Sequence, residues 1–371
     1  MPRSRYSNVA PPKEPGDTNW QGQLANAHVS LGNMYNVKGD PENAAKENRI
    51  AGEIYERLAG QDPDNVQWQK GLAMSHVVTG NALMENDAAR GISEFRSALA
   101  LYERLVAKDP TNAELQNWVA VCHVGIATGL VAQKQWPEAL TESRAALAVA
   151  EPMGAQDPKD IMMVQQTIAG AHVLIGGILK KQGDHVQATK EQMVGLELHR
   201  RLAEQDPSNA MFQFQVASSG NLLAAILLAQ KKYDEALQAF AGARDVLEPL
   251  VARSPEYQST LVDTYNGSTW PFLMTRRPYE AIAAASKAIE LDATKSSTKM
   301  NLAHGYLLAN QFEKAKAIYL ENKDVKRPDG RGFVEVVLKD FKDLREAGVM
   351  HPDMKRIERL LSGEASGKTR K

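Results

Sequence analysis

Apolar positions along this chain recur at helical spacing and are interrupted by short polar breaks. Trp68, Leu72, His76, Gly80 and Leu83 share one helical face, a break follows at Asn86-Asp87, and Ile92, Phe95, Leu99, Tyr102 and Val106 form a second stripe. Asp109-Pro110-Thr111-Asn112 closes the pair, because proline lacks an amide donor and disfavours helix at the residue before it. Each stripe predicts a helix of roughly 20 residues, about 30 Å long. The same punctuation returns along the chain. Asp-Pro steps begin at residues 62, 109, 157 and 206, with Ser254-Pro255 in the fifth place. Trp20, Trp68, Leu115, Val164 and Phe212 each precede a glutamine, and His-Val steps begin at 28, 76, 123 and 172, with Gly220 in the fifth place. Three columns sharing one spacing define an internal repeat of about 48 residues in five copies. One helix pair cannot bury both of its apolar faces, so the pairs are expected to stack as a solenoid.

Small residues run through the repeat. Gly32, Gly80, Ala127, Gly176 and Ala224 lie near the middle of each first helix. Ala44, Ile92, Ala139, Ala188 and Ala236 follow in the second helix, and then Ala51, Leu99, Ala146, Gly195 and Ala243. This ladder, with Leu-Gly-Asn-Met-Tyr at 31–35, resembles the tetratricopeptide repeat, in which small side chains let the two helices of a hairpin approach closely. Two further units, Trp270 to Ala293 and Leu302 to Ala315, return to that family's usual length. The resemblance implies an all-α, right-handed α-solenoid of about seven tetratricopeptide-like (TPR-like) hairpins with a C-terminal helical cap. The expected organisation is an N-terminal arm over 1–16, five long repeats over 17–257, two standard repeats over 258–322, capping helices over 323–362 and a tail over 363–371. Arm and tail are expected to be disordered. In the cap, Phe333, Val336, Val337, Phe341 and Leu344 share a face, and His351-Pro352-Asp353 opens a last short helix. Pro271 is expected to kink the first helix of the sixth pair or delay its start.

The long units carry Asp-Pro-x-Asn-x-x-Trp-Gln, and the chain ends with Leu-Arg-Glu-Ala-Gly-Val-Met-His-Pro-Asp-Met at 344–354. These features are similar to a bacterial, long-repeat subfamily of tetratricopeptide arrays, often attached to or encoded beside caspase-like peptidases. The implied function is a non-catalytic protein–protein interaction scaffold or adaptor that holds a peptide or partner protein in its concave groove. The alternative is a regulatory partner or inhibitor of a caspase-like (CHAT/metacaspase-type) peptidase in bacterial signalling or defence. Carried over residue by residue, the groove of the first repeat is lined by Asn26, Val29, Asn33 and Asn36, and that of the second by Met74, Val77, Asn81 and Met84. Val121, Val124, Thr128 and Val131 follow, then Val173 and Lys180, then Asn221, and in the sixth pair Asn266 and Trp270. One subgroup of the family clamps a C-terminal carboxylate with groove cations and amides. Here Asn33 and Asn81 match the amides, but Val29 and Val77 stand where the cations belong, so acidic tails are not the expected ligand. An apolar strip with amide donors suits a helix or an extended peptide.

Charge and composition narrow the alternatives. The 371 residues carry 44 Lys+Arg against 45 Asp+Glu, a net charge of -1. That balance argues against a main role in coating nucleic acid or an anionic membrane. A single cysteine leaves no disulfide framework. No uninterrupted apolar run reaches the ~18 residues of a membrane helix, and Met1 to Pro15 lacks the apolar core of a signal peptide, so a cytoplasmic location is expected. Catalytic residues, cofactors and metal ligands are not expected. His28, His76, His123 and His172 stand in successive repeats, and neighbouring helices pack ~8–10 Å apart, too far for shared coordination at ~2.0–2.1 Å. They take the position of a large packing residue. Cys122 and His123 point about 100° apart on a helix and cannot form a nucleophile–base pair. The chain contains no Walker-type phosphate loop, H-E-x-x-H or G-x-S-x-G.

Overall fold

In a computed structural model, residues 17–38, 40–155, 161–294, 296–326 and 330–362 are described. The arm over 1–16, the tail over 363–371 and the Asp157-Pro158 step lie outside them. The chain forms two compact units, divided between Gln182 and Gly183. The first holds α1 (Thr18–Val37), α2 (Pro41–Gln61), α3 (Val66–Leu83), α4 (Ala88–Lys108), α5 (Ala113–Ala132), α6 (Trp136–Ala150) and α7 (Ile161–Gln182). The second holds α8 (His185–Gln205), α9 (Ala210–Ala229), α10 (Tyr233–Arg253), α11 (Gln258–Met274), α12 (Pro278–Leu291), α13 (Ser296–Leu308) and α14 (Phe312–Asn322), followed by α15 (Phe333–Glu346) and α16 (Met354–Ser362). Within each unit, consecutive helices from α1 to α7 and from α8 to α14 pack side by side, so the protein is an all-α solenoid in which each unit is a stack of antiparallel helices. Among the described residues the only extended pairing is an isolated bridge between Lys326 and Gly332.

The Asp-Pro-x-Asn punctuation does three things at once. The backbone N–H of Asp62, Asp109 and Asp206 bonds back to Leu58, Leu105 and Leu202 and closes the helix before it. The proline prevents continuation. The side chains of Asn65, Asn112 and Asn209 then accept the first free amides of α3, α5 and α9, each cap contributing about 1 kcal/mol. Inside the pairs the turn is tighter. Lys134, Lys231, Arg276 and Asn310 adopt φ of 61°, 59°, 59° and 60°, with Gly183 at 88°. The next amide then bonds five residues back, as in Lys232 N to Leu227 O at 3.0 Å and Arg277 N to Phe272 O at 2.8 Å. The basic pairs Lys231-Lys232 and Arg276-Arg277 therefore form the turns themselves.

Helices within a pair meet where side chains are missing. A Cβ at Gly80 would sit 2.9 Å from Phe95 Cδ2 and 3.2 Å from the Gly91 carbonyl, and one at Gly91 would sit 3.1 Å from the Gly80 carbonyl. The small-residue ladder in the second repeat is therefore Gly91 and Ala98, not Ile92 and Leu99. The ladder step from Gly80 to Gly91 spans 11 residues where its counterparts, such as Ala127 to Ala139, span 12, which shifts every position of α4 by one. Ile92, displaced from the ladder, instead fills the space over Gly129 of α5. Ala139, Ala146, Ala188, Ala236 and Ala243 occupy the buried ladder positions assigned to them.

Pro271 does not delay its helix. Helix α11 begins at Gln258, directly after the turn Pro255–Tyr257, and carries Pro271 in its last turn. There one amide bond is forfeited close to where the helix ends anyway. The cap is built as the stripe predicts: Phe333, Val336, Val337, Phe341 and Leu344 are buried with Leu307, Ala315 and Tyr319 in one core. One expectation needs correction. Ala113–Ala132, Met162–Gln182 and Ala210–Ala229 are long and apolar enough, on average, to cross a membrane, although polar residues interrupt their runs. Half of each apolar window is buried against neighbouring helices, which is where a helix packed on several sides spends its apolar surface.

Gly80→Leu should therefore lower stability by about 1–3 kcal/mol, since the new side chain must displace the Phe95 ring and the Gly91 backbone. Gly170→Ala in the interior of α7, where a Cβ meets nothing within 4 Å, should gain roughly 0.5–1 kcal/mol from helix propensity. Urea midpoints of the two variants, shifting in opposite directions, check the hairpin geometry.

Candidate functional site

The odd-numbered helices of the first unit contact one another in sequence, α1 with α3, α3 with α5 and α5 with α7. They therefore form the inner layer of this stack, with the even-numbered helices behind them. A cavity of about 390 Å³ opens on the inner face of α1, α3 and α5. Its floor is made by two tyrosines reaching forward from the outer helices, Tyr55 of α2 and Tyr102 of α4.

The two tyrosines are repeat equivalents with different surroundings. Tyr55 lies over Gly71, where any Cβ would fall inside its ring. Its hydroxyl donates to Asn26 Oδ1 at 2.6 Å. In the next interface Met74 replaces Asn26 and Trp118 replaces Gly71. The Tyr102 ring stacks on the Trp118 indole at 5.8 Å between centroids, 10° from parallel. Burial, with Cys122 and Glu114 nearby, raises the Tyr102 phenol above its ordinary pKa. Across the cavity mouth Lys70 Nζ binds both oxygens of Glu114 at 2.9 and 3.0 Å, so the two charges cancel. Asn19, Gln23 and Gln67 add exposed carboxamides to the rim.

The residues assigned from the family pattern separate into three groups. Asn26, Val29 and Met74 line the cavity. Asn33, Asn81 and Thr128 are exposed on the same helices, and Val121, Val124, Val131, Val173 and Lys180 are half-buried. Burial, then the neighbouring Lys181, lowers the Lys180 pKa. The side chain of Asn36 lies outside the described residues. Other members of the set are committed to contacts within the protein, although Trp270 also lines a second cavity of about 440 Å³. Val77 is 3% exposed and belongs to the core between α3 and α5. Met84 turns inward onto Gly91 and Gly129. In the second unit Asn221 exchanges hydrogen bonds with Thr264 at 2.8 and 3.1 Å, which ties α9 to α11. Asn266 accepts from Asn301 at 3.4 Å, and Trp270 packs on the C-terminal core. Amides placed there by the family pattern are spent between helices.

Tyr55, Lys70, Tyr102, Glu114 and Trp118 were not among the assigned positions. The signal for the tyrosines was present, since residues 55 and 102 stand in one column of the repeat, but that column belongs to the second helix of each pair.

The histidine column has a partner column that the spacing also contained. Nδ1 of His28, His76 and His123 lies 2.6 Å from Oε2 of Glu47, Glu94 and Glu142 respectively, so each imidazole ties the first helix of its pair to the second. Among the described residues no three His, Cys, Asp or Glu side chains converge as metal ligands. Burial, with Glu103 nearby, pushes the Cys122 thiol up to about 12, which leaves it a weak nucleophile near neutrality.

Residues 83–158 match the family model described as Tetratricopeptide repeat. That match makes residues 83–158 a tetratricopeptide-repeat segment. Among solved structures it is similar to a signal transduction ATPase with numerous domains, a protein with a tetratricopeptide repeat sensor from Pyrococcus horikoshii. That likeness has a TM-score of 0.56 at 13% identity and covers 92% of this chain and 46% of that one. It shows the fold. BtubC from P. vanneervenii (TM-score 0.48, 16% identity, 77% of this chain and 96% of that one) and the apo form of RapI (0.49, 13%, 80% and 95%) are also similar. No curated protein sequence matches the chain.

Two predictions follow from these burials. Val77→Glu should place an unpaired carboxylate in the core and cost about 3–5 kcal/mol, whereas Asn81→Glu, one turn along the same helix and exposed, should leave the thermal midpoint nearly unchanged. The second concerns His199, 4% exposed and bonded to Ser219 Oγ at 2.8 Å, whose imidazole burial pushes down to about 4. In the unfolded chain it titrates near ~6.5. The unfolded state thus takes up the proton first, so this contribution is complete above ~6.5 and drains away as pH falls towards about 4, by roughly 3 kcal/mol in all. His199→Gln should flatten the acid limb of the stability–pH curve by that order.

Proposed function

We propose that the protein is a non-catalytic scaffold whose partner protein or peptide lies along the inner face of α1, α3 and α5. The observation that carries this reading is the cavity over Tyr55 and Tyr102. It gathers two tyrosines and two tryptophans from a chain that is only 6% aromatic, beside carboxamides that make no side-chain bond to the protein. Aromatic anchors in a concave setting are the usual carriers of binding energy at protein interfaces. The Lys70–Glu114 pair leaves the site without net charge, which disfavours strongly acidic tails. The neighbourhood in which such a scaffold works is proposed to be the cytoplasm. A second, finer reading names the partner as a caspase-like peptidase that this chain regulates or inhibits. Its support is the likeness of the long repeats and of the ending at 344–354 to the peptidase-associated arrays.

A photo-crosslinking residue at Gln67, on the cavity rim, and another at Ser97, exposed on the outer helix α4, test the placement in the full chain. The expected result is a discrete cross-linked partner from Gln67 and none from Ser97. Cross-linking from Ser97 with none from Gln67 would move the partner to the outer face.

A further inference from the structure

The hydroxyl of Tyr102 is the unusual group in this cavity. The residue is 1% exposed and lines the cavity, and its hydroxyl makes no hydrogen bond to the protein. Its repeat equivalent shows what is missing. Tyr55 reaches forward in the same way and is satisfied by Asn26 of the preceding inner helix. At Tyr102 that position is Met74, whose thioether is a weak acceptor. The hydroxyl is not sealed in the core but opens on the cavity, where a ligand's acceptor can reach it.

The other polar groups around it point to the same deficit. The indole N–H groups of Trp68 and Trp118 can only donate, and neither has a partner in the protein. Asn26 spends its Oδ1 on Tyr55 and keeps two amide hydrogens. Around the flat aromatic faces of the floor the cavity therefore presents donors, while the carboxamides of Asn19, Gln23 and Gln67 at the rim offer donors and acceptors alike, and the site carries no net charge. An α-helix does not answer this pattern, because its backbone carbonyls are bonded within the helix. Polyproline II does: its backbone makes no internal hydrogen bonds, its carbonyls point outward, prolines remove competing N–H donors, and pyrrolidine rings suit aromatic grooves.

We infer that the Tyr102–Trp118 site takes a neutral, proline-bearing extended segment of a partner protein, with a backbone carbonyl accepting from the Tyr102 hydroxyl. This rests on the inner-face reading above and names the class of its ligand.

Fluorescein-labelled decaproline, titrated into the full chain and followed by anisotropy, tests it beside a Gly-Ser decamer and an Ala-rich helical peptide. Decaproline should bind saturably and the Gly-Ser decamer should not. Tyr102→Phe should weaken decaproline binding about tenfold while keeping or raising the urea midpoint, since it removes an unpaired hydroxyl. Tyr319→Phe, which removes a buried hydroxyl bonded to His304 in the C-terminal core, should do the reverse, lowering the midpoint and leaving affinity within about twofold. Failure of decaproline to bind, or equal affinity of the parent and Tyr102→Phe, would overturn the inference. Saturable binding of the helical peptide alone would overturn it too, while leaving the inner face as the partner surface. The cross-link at Gln67 decides that broader reading separately.

Discussion

How closely two helices can approach is set by the bulkiest group between them, and in this protein the approach is bought with missing side chains. Gly80 and Gly91 meet backbone to backbone, so that a Cβ on either would strike the other's carbonyl. Gly220 against Ala243 and Gly305 against Ile282 repeat the theme in the second unit. A second rule joins one pair to the next: a ring from the outer helix settles over a glycine of the following inner helix. Tyr55 lies on Gly71, Phe95 on Gly125 and Phe240 on Gly267. With Gly71 in place the Tyr55 ring reaches through to the cavity on the inner side. The same packing that closes the core thus delivers aromatic surface to the face where a partner can meet it.

Local signals of the fold were legible because each has a local physical cause. Proline cannot continue a helix, asparagine caps the next one, and an amphipathic stripe must be covered. These causes operate over a few residues, so Asp109-Pro110-Thr111-Asn112 announces its own structure. The ladder at Ile92 and Leu99 failed for an equally local reason. A ladder step shorter by one residue leaves the spacing between whole repeats almost unchanged and rotates every side chain of α4 by about 100°. The paired carboxylates at 47, 94 and 142 carry the shift in plain view, since Glu94 follows its histidine by 18 residues and the others by 19.

The candidate site was less legible, because a position's column in the repeat does not say what its neighbours do with it. Val77 shares a column with Val29 and Val124, yet it faces the core. Asn221 and Asn266 are amides at groove positions, and hydrogen bonds to the adjoining inner helices consume them. Conversely, Tyr55 and Tyr102 come from helices that the family pattern places at the back. Which polar group is satisfied depends on pairs of residues about 30 apart in sequence, such as Asn26 and Tyr55, and periodicity alone does not assign such pairs.

Recognition in a repeat protein needs a departure from the repeat, because identical units present identical surfaces and specify no register for a ligand. In the first unit the departures concentrate at one interface. Asn26 gives way to Met74 and Gly71 to Trp118, so one tyrosine is sealed by its neighbour while its equivalent is stacked, buried and left unpaired. The Tyr102 hydroxyl makes no hydrogen bond within the protein and faces the cavity, so packing alone gives no reason for tyrosine over phenylalanine there. Tyrosine at position 102 is explained when a bound acceptor meets its hydroxyl, and the indole donors nearby suit the same ligand.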